Sequence, residues 1–243
     1  MVPLSFAGEE WFLLECRALY WPRQNALLVA DLHLEKASFY ASHGQMLPPY
    51  DSRETLQRVA EAVRLTGAKR VITLGDNFHD KCGSARLESH AAGMLGALTS
   101  MVDWTWITGN HDNGTDDLAM QAACGGTVVP EMELGGVVLR HIAKRGETRP
   151  EVSGHFHPRL ELAVNRRMIR RPCAVISTCD GAAADTGCRM IAPAFGALTA
   201  GMPAGDPAIA KALQPATEIR ALLIAKGRLL QFPLWRQNNS QAA

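Results

Sequence analysis

The 243-residue chain has no apolar run long enough to read as a membrane-spanning helix. Its first residues, with Glu9 and Glu10 among them, lack the basic, apolar and small-residue succession of a secretory signal. The expectation is therefore a cytoplasmic protein with no membrane partner. Cysteine is present but unorganised: Cys16, Cys82, Cys124, Cys173, Cys179 and Cys188 make no Cys-x-x-Cys pair and no zinc-ribbon spacing, so reduced thiols are expected. Only Cys82, close in sequence to Asp76, could approach the candidate site, and a small half-buried side chain is the favoured reading of it. Internal repeats are absent. A hydrophobic content of 47% excludes a disordered chain, and the length suits one domain over residues 1–243.

Strand and helix patterns alternate. Trp11 to Ala30 reads as a hairpin, with Pro22-Arg23-Gln24-Asn25 at its turn. Asp51 and Glu54 suggest a capping box for a helix bearing Leu56, Val59, Ala60 and Val63 at helical spacing, closed by Gly67. Further helices are predicted over Arg86 to Met101 and Asp116 to Cys124, then mainly strands from Thr127, ending in a hairpin around Lys226-Gly227. Asp180 to Thr186 reads as a loop, Gly201 to Ala216 as a flap or connector, and the tail from Gln237 as frayed. Two β-rich halves, each able to bury one face on the other under outer helices, predict a layered sandwich.

Five segments carry the chemistry: Asp31-Leu32-His33, Gly75-Asp76, Gly109-Asn110-His111-Asp112, His141, and Gly154-His155-Phe156-His157. Asp31 and His33 follow the apolar run Ala26 to Ala30, Asp76 follows Val71 to Leu74, Asn110 and His111 follow Trp104 to Thr108, and His141 follows Val137 to Leu139. Polar residues at the carboxyl ends of buried strands are where open α/β sheets collect ligands. Taken singly, each has an ordinary alternative. Asp-x-His can be a turn with a satisfied histidine, Gly-Asp is a common turn, Gly-Asn-His-Asp can be an Asx-turn, His141 can be a core histidine, and Gly-His-Phe-His can flank a strand. Their joint occurrence in this order points to carboxylate, carboxamide and imidazole ligands for two divalent cations about 3.5–4 Å apart, the arrangement that hydrolyses phosphoesters.

This order resembles that of the calcineurin-like metallophosphoesterases. The resemblance implies a four-layer α-β-β-α sandwich, with Asp31, His33 and His157 on a first metal, Asn110, His141 and His155 on a second, and Asp76 bridging. It makes His111 and Asn110 the catalytic candidates, with His111 acting on the leaving group and Asp112 orienting it. His79 departs from the usual Gly-Asp-x-x-Asp pattern, at a position expected to lie outside the ligand shell. Asp31-Leu32-His33-Leu34-Glu35-Lys36, Gly44 to Asp51, Gly75 to Asp80, Gly154 to Pro158 and Ala192 to Gly196 are similar to the ligase-associated DNA damage response endonucleases. That similarity implies manganese and single-stranded DNA, and brings repair ligase and helicase partners into view; the donor types alone fit manganese, iron or zinc.

The net charge of +1 averages over the surface, but Arg140 to Arg171 holds nine basic residues against Glu147, Glu151 and Glu161. This stretch also contains His141, His155 and His157, and a basic neighbourhood beside a phosphoesterase centre suits a polyanion. A solvated hairpin face is the alternative, and Phe156 as the single aromatic residue there does not indicate base stacking. The expectation is a dinuclear phosphodiesterase or DNA endonuclease in which a bridging hydroxide attacks phosphorus in line. A phosphatase or nucleotide hydrolase of the same superfamily, and a non-catalytic scaffold, remain as alternatives, and a homo-oligomer stays open.

Overall fold

Apolar side chains along the central strands alternate between two faces, and each face is buried, which forces a layered structure. The computed structural model describes residues 1–112, 120, 123–179 and 188–237. One seven-stranded sheet runs in the order β1 (Val2–Phe6), β2 (Glu9–Leu13), β3 (Leu19–Trp21), β4 (Ala26–Val29), β5 (Arg70–Leu74), β6 (Asp103–Ile107), β7 (Thr127–Val129). A second runs β16 (Arg228–Arg236), β15 (Glu218–Ala225), β13 (Ala174–Thr178), β14 (Arg189–Ile191), β10 (Glu151–Ser153), β9 (Val137–Arg140), β8 (Glu131–Leu134). Strands β4 to β7 are parallel, as are β9, β10 and β14. Both sheets therefore have carboxyl strand ends to offer.

The period-2 alternation of a strand sorts the core. Leu28, Ile72, Leu74 and Ile107 face Leu139, Val152, Ile176 and Met190 between the sheets. Leu27, Val29, Val71, Trp104 and Trp106 face outward under α2 (Asp51–Thr66) and α4 (Ser89–Met101), which contribute Leu56, Val59, Leu95 and Leu98. On the far side Val175, Ile191 and Ile219 meet Ile209 and Leu213 of the segment around α5 (Pro207–Ala212). The layers are helix, sheet, sheet, helix. The outer helical layer over the second sheet is thin, a six-residue helix, so the Gly201 to Ala216 segment read as a flap or connector is a lid on the core.

Other local expectations change. The predicted capping box on α2 does not form: Tyr50 takes the cap position, and Asp51 accepts instead from Ala37 N at 3.1 Å, at the start of α1 (Lys36–Ser42). Gly67 closes α2 in the left-handed region, as its sequence position suggests. The predicted Arg86 to Met101 helix is two helices, α3 (Gly83–Arg86) and α4, because Glu88 is extended and its carboxylate caps α4 through His90 N and Ala91 N. The predicted hairpin from Trp11 is part of a meander that begins at β1, with a 3-10 turn at Pro22–Gln24.

Cys179 and Cys188 are joined in a disulfide, contrary to the expectation of six reduced thiols. The antiparallel register that pairs Ser177 with Arg189 brings these two residues close together just beyond the strand ends, with Cα atoms 6.1 Å apart, a proximity that spacing along the chain does not reveal. Cys16, Cys82, Cys124 and Cys173 are free. The helix expected over Asp116 to Cys124 falls largely outside the described residues; the Asp180 to Thr186 loop, and the tail beyond Gln237, fall wholly outside them. Among the described residues no helix is long and apolar enough to cross a membrane.

A two-stranded hairpin, β11 (Arg159–Val164) and β12 (Arg167–Pro172), belongs to neither sheet. It starts two residues after His157.

Candidate metal centre

Five parallel strands deliver the site. Asp31 and His33 follow β4, Asp76 follows β5, Asn110 and His111 follow β6, His141 follows β9, and His155 and His157 follow β10. The sheets meet at these tips: His33 N donates to Asp76 O at 2.9 Å, Gly154 N to His141 O at 2.9 Å, and His155 N to the Asp31 carboxylate at 3.0 Å. His111 N donates to Asp76 Oδ1 at 2.9 Å. Each carboxylate thus ties one strand tip to another before any ion is considered.

The side chains sort into two adjoining groups that share Asp76, namely Asp31, His33, Asp76 and His157, then Asp76, His141 and His155. In the first, His33 Nε2 is 3.3 Å from His157 Nε2 and 3.6 Å from Asp76 Oδ2, while His157 Nε2 is 3.4 Å from Asp31 Oδ1. In the second, His141 Nε2 is 3.3 Å from Asp76 Oδ1, 3.2 Å from His155 Nδ1 and 2.9 Å from Asn110 Oδ1. His141 Nδ1 donates to Leu74 O at 2.9 Å, which leaves Nε2 as the lone-pair nitrogen turned into the cluster. Nitrogen and oxygen lone pairs converging from both sides, those of Asp31, His33, Asp76 and His141 buried, fit divalent cations, since without positive charge among them they repel one another. The chemistry of the donor set therefore suits the implied metals.

Protonation follows burial. His33 is pushed down to about 2 by desolvation and by His157, so its ring is neutral. Burial also lowers His155, with His141 adding to the effect. In His157 burial works the same way, but the hydrogen bond and charge of Asp31 outweigh it and raise the pKa.

Two roles differ from expectation. Asp112 was expected to orient His111, yet its carboxylate takes Gly109 N, Asn77 N, Asn77 Nδ2 and Phe78 N at 2.8–3.3 Å, pinning the β5 and β6 tips together. His111 is oriented instead by Nδ1 donation to His79 O at 2.8 Å, and its Nε2 lies 4.0 Å from Asp76 Oδ2. His79 was expected outside the ligand shell; its ring lies beside the site, with Nδ1 at 3.5 Å from His33 Nδ1, and His33, His79 and His111 form a third, overlapping cluster.

Sequence reasoning missed the supports. Ala194 bridges to Ala30, and Phe195 N and Gly196 N donate to Ala30 O and Asp31 O, so the Ala192 to Gly196 segment backs the β4 tip. Arg17 and Arg58 donate to Phe195 O from the other side. Phe39 and Tyr40 on α1 reach the edge of the site, at 4.8 and 5.7 Å from the His79 ring. Their position within two helical turns of His33 was the available signal.

The chain matches none of the protein-family models, and none of the curated proteins, with which it was compared. Among solved structures it is similar to the nuclease MPE of Pseudomonas putida, at 29% identity over 91% of this chain and 95% of that one, with a TM-score of 0.66. The phosphoesterase Yfce from E. coli is aligned at 14% identity over 86% of this chain and 98% of that one, but its TM-score of 0.42 is too low to bear on the reading. The fold is of the metallophosphoesterase type and the chain is a metal-dependent phosphoesterase with a clustered His/Asp metal site. Within that class its likeness is to a nuclease.

One glycine is decisive. Gly75 has φ +80°, and a Cβ there would strike the His141 ring. Gly75→Ala is expected to displace His141, leaving about one metal per chain by elemental analysis; two retained metals and unchanged turnover would show that His141 is not held through this contact.

Proposed function

We propose that the protein is a phosphodiesterase that cleaves single-stranded DNA with two divalent cations, manganese being the first choice. The observation that carries this reading is the juxtaposition of the carboxylate-imidazole cluster with the arginine-bearing hairpin that leaves the His157 loop. Asp31, His33 and His157 would hold one ion, Asn110, His141 and His155 the other, and Asp76 both. When bound, the pair supplies an activated water and neutralises phosphoryl oxygens. The residues themselves supply orientation. Asp31 and Asp76 are fixed by backbone amides from opposite strands, so their free oxygens keep a fixed direction. His111 has an exposed ring edge, with Nδ1–H committed to His79 O; as the imidazolium it would give its Nε2 proton to a departing alkoxide and be left as the neutral ring with its proton on Nδ1.

The hairpin argues for a polymer over a small phosphate ester. Arg166, Arg167 and Arg171 are exposed and form no ion pair among the described residues, whereas Arg170 is held by Glu161 at 3.1 Å and by Gly201 O. Such a row contacts a backbone that continues past the cleaved bond, which a mononucleotide lacks. The likeness to a nuclease over most of the chain supports the same conclusion.

A panel of single-stranded DNA, duplex DNA and nucleotide monoesters with added manganese tests the reading; monoester hydrolysis without DNA cleavage would sink it. His111→Ala should keep both metals and lower DNA cleavage by about 10²- to 10⁴-fold, as loss of a general acid does. The loss should shrink for an aryl phosphodiester, whose leaving group needs no proton; equal losses on both would remove His111 from that role. Replacing Arg166, Arg167 and Arg171 together with Gln should flatten the salt dependence of DNA binding by about 0.7 in log-log slope for each phosphate no longer neutralised. An unchanged slope would return these side chains to a solvated surface.

A further inference from the structure

We infer that Phe39 and Tyr40 of α1 form a wall that binds the nucleobase next to the scissile phosphate. The inference rests on the phosphodiesterase reading above and adds a subsite to it. The Tyr40 and His79 rings lie nearly parallel, with centroids 5.7 Å apart at 23°, and His79 and His111 follow at 5.4 Å and 22°. Phe39 meets His79 edge-on at 4.8 Å and tilts over His43 at 4.4 Å. These spacings are those of interacting rings. A ladder of aromatic planes therefore runs from α1 to His111, at the edge of the metal cluster.

The ladder is not core packing. Phe39, Tyr40 and His79 are half-buried, His111 is exposed, and Ala37 is the one buried residue of α1. Every residue from Ala41 to Tyr50 is exposed, with Met46 87% and Tyr50 61% accessible. A seven-residue helix that buries one side chain has little apolar core to hold it, so its rings serve the site they line. Lys36, in the first turn of the same helix, forms no ion pair among the described residues and offers its charge to a backbone phosphate.

The occupant follows from the geometry. A base is one sugar away from its phosphate, so a phosphoryl group beside His111 leaves its base within reach of the next ring planes. Any base presents a π-face, so such a wall tolerates sequence. A base inside a duplex already has both faces covered, so the wall favours single strands. Peptides and lipids would use the apolar surface but not the parallel planes.

The test compares wild type with Tyr40→Leu, Phe39→Leu and the aromatic replacement Tyr40→Trp, with circular dichroism confirming the fold. Two readouts are taken: kcat/KM with manganese on a thymidine dinucleotide and on an abasic dinucleotide of the same backbone, and quenching of 2-aminopurine in a short single strand bound in EDTA. Tyr40→Leu should lower the thymidine-to-abasic ratio by about 5- to 100-fold, the effect of losing one base-aromatic stack, while Tyr40→Trp keeps it. Quenching should fall in Tyr40→Leu and persist in Tyr40→Trp. Wild-type ratios and quenching in both Leu variants would overturn the wall. If wild type quenches 2-aminopurine but cleaves neither dinucleotide, the wall stands and the phosphodiesterase reading fails.

Discussion

Everything in this structure is arranged around a conflict of like groups: two buried carboxylates and four imidazoles aim lone pairs at a small common volume. The backbone carries part of the cost. Asp31, His33, Asp76, His155 and His157 all have positive φ, between 44° and 72°. A side chain with a Cβ resists that region by roughly 1–2 kcal/mol, Asp less because its short polar side chain can bond locally. The conformation persists because it turns each chain sharply at its strand tip, which is what points successive side chains into one cluster. Cross-strand hydrogen bonds at the tips offset the strain, and cations that bind the folded state alone would add to them.

This explains why the surrounding fold is rigid and doubly backed. The β4 tip is bonded to the β5 tip, to the Gly154-His155 turn, and to the Ala194 to Gly196 segment, whose carbonyls take Arg17 and Arg58. Glycines stand where backbones touch: a Cβ on Gly109 would strike Asp76, and one on Gly196 would strike Leu32 O. Further away, Arg189 and Glu151, both wholly buried, lock β14 to β10 and so fix the strand from which His155 and His157 depart. A buried pair of this kind adds little net stability, but it costs several kcal/mol to break, which makes strand register hard to slip.

The sequence made the strand-tip residues legible because chemistry at a strand end is local: an apolar run followed by Asp-x-His or Gly-Asn-His can be read without knowing what lies opposite. The layers were legible for the same reason, since alternation is a property of one strand. What was not legible is tertiary. Asp51 looked like a cap for its own helix and caps α1; Asp112 looked like a partner of His111 and holds Asn77 and Phe78; Cys179 and Cys188 meet only through the β13 and β14 register. In each case the short-range partner was plausible, and a long-range backbone amide or strand pairing took its place.

Chain connectivity gives the two proposed substrate contacts a common logic. The α1 helix begins three residues after His33, and the basic hairpin begins two residues after His157; these are the two histidines whose Nε2 atoms are 3.3 Å apart. Neither element belongs to the two seven-stranded sheets. Each is anchored to one of these two histidines, one presenting rings and the other guanidinium groups. A single strand has bases on one side and phosphates on the other. If both proposed contacts hold, two unlike surfaces beside the cluster would match that asymmetry, whereas a phosphate monoester would have nothing to place against either.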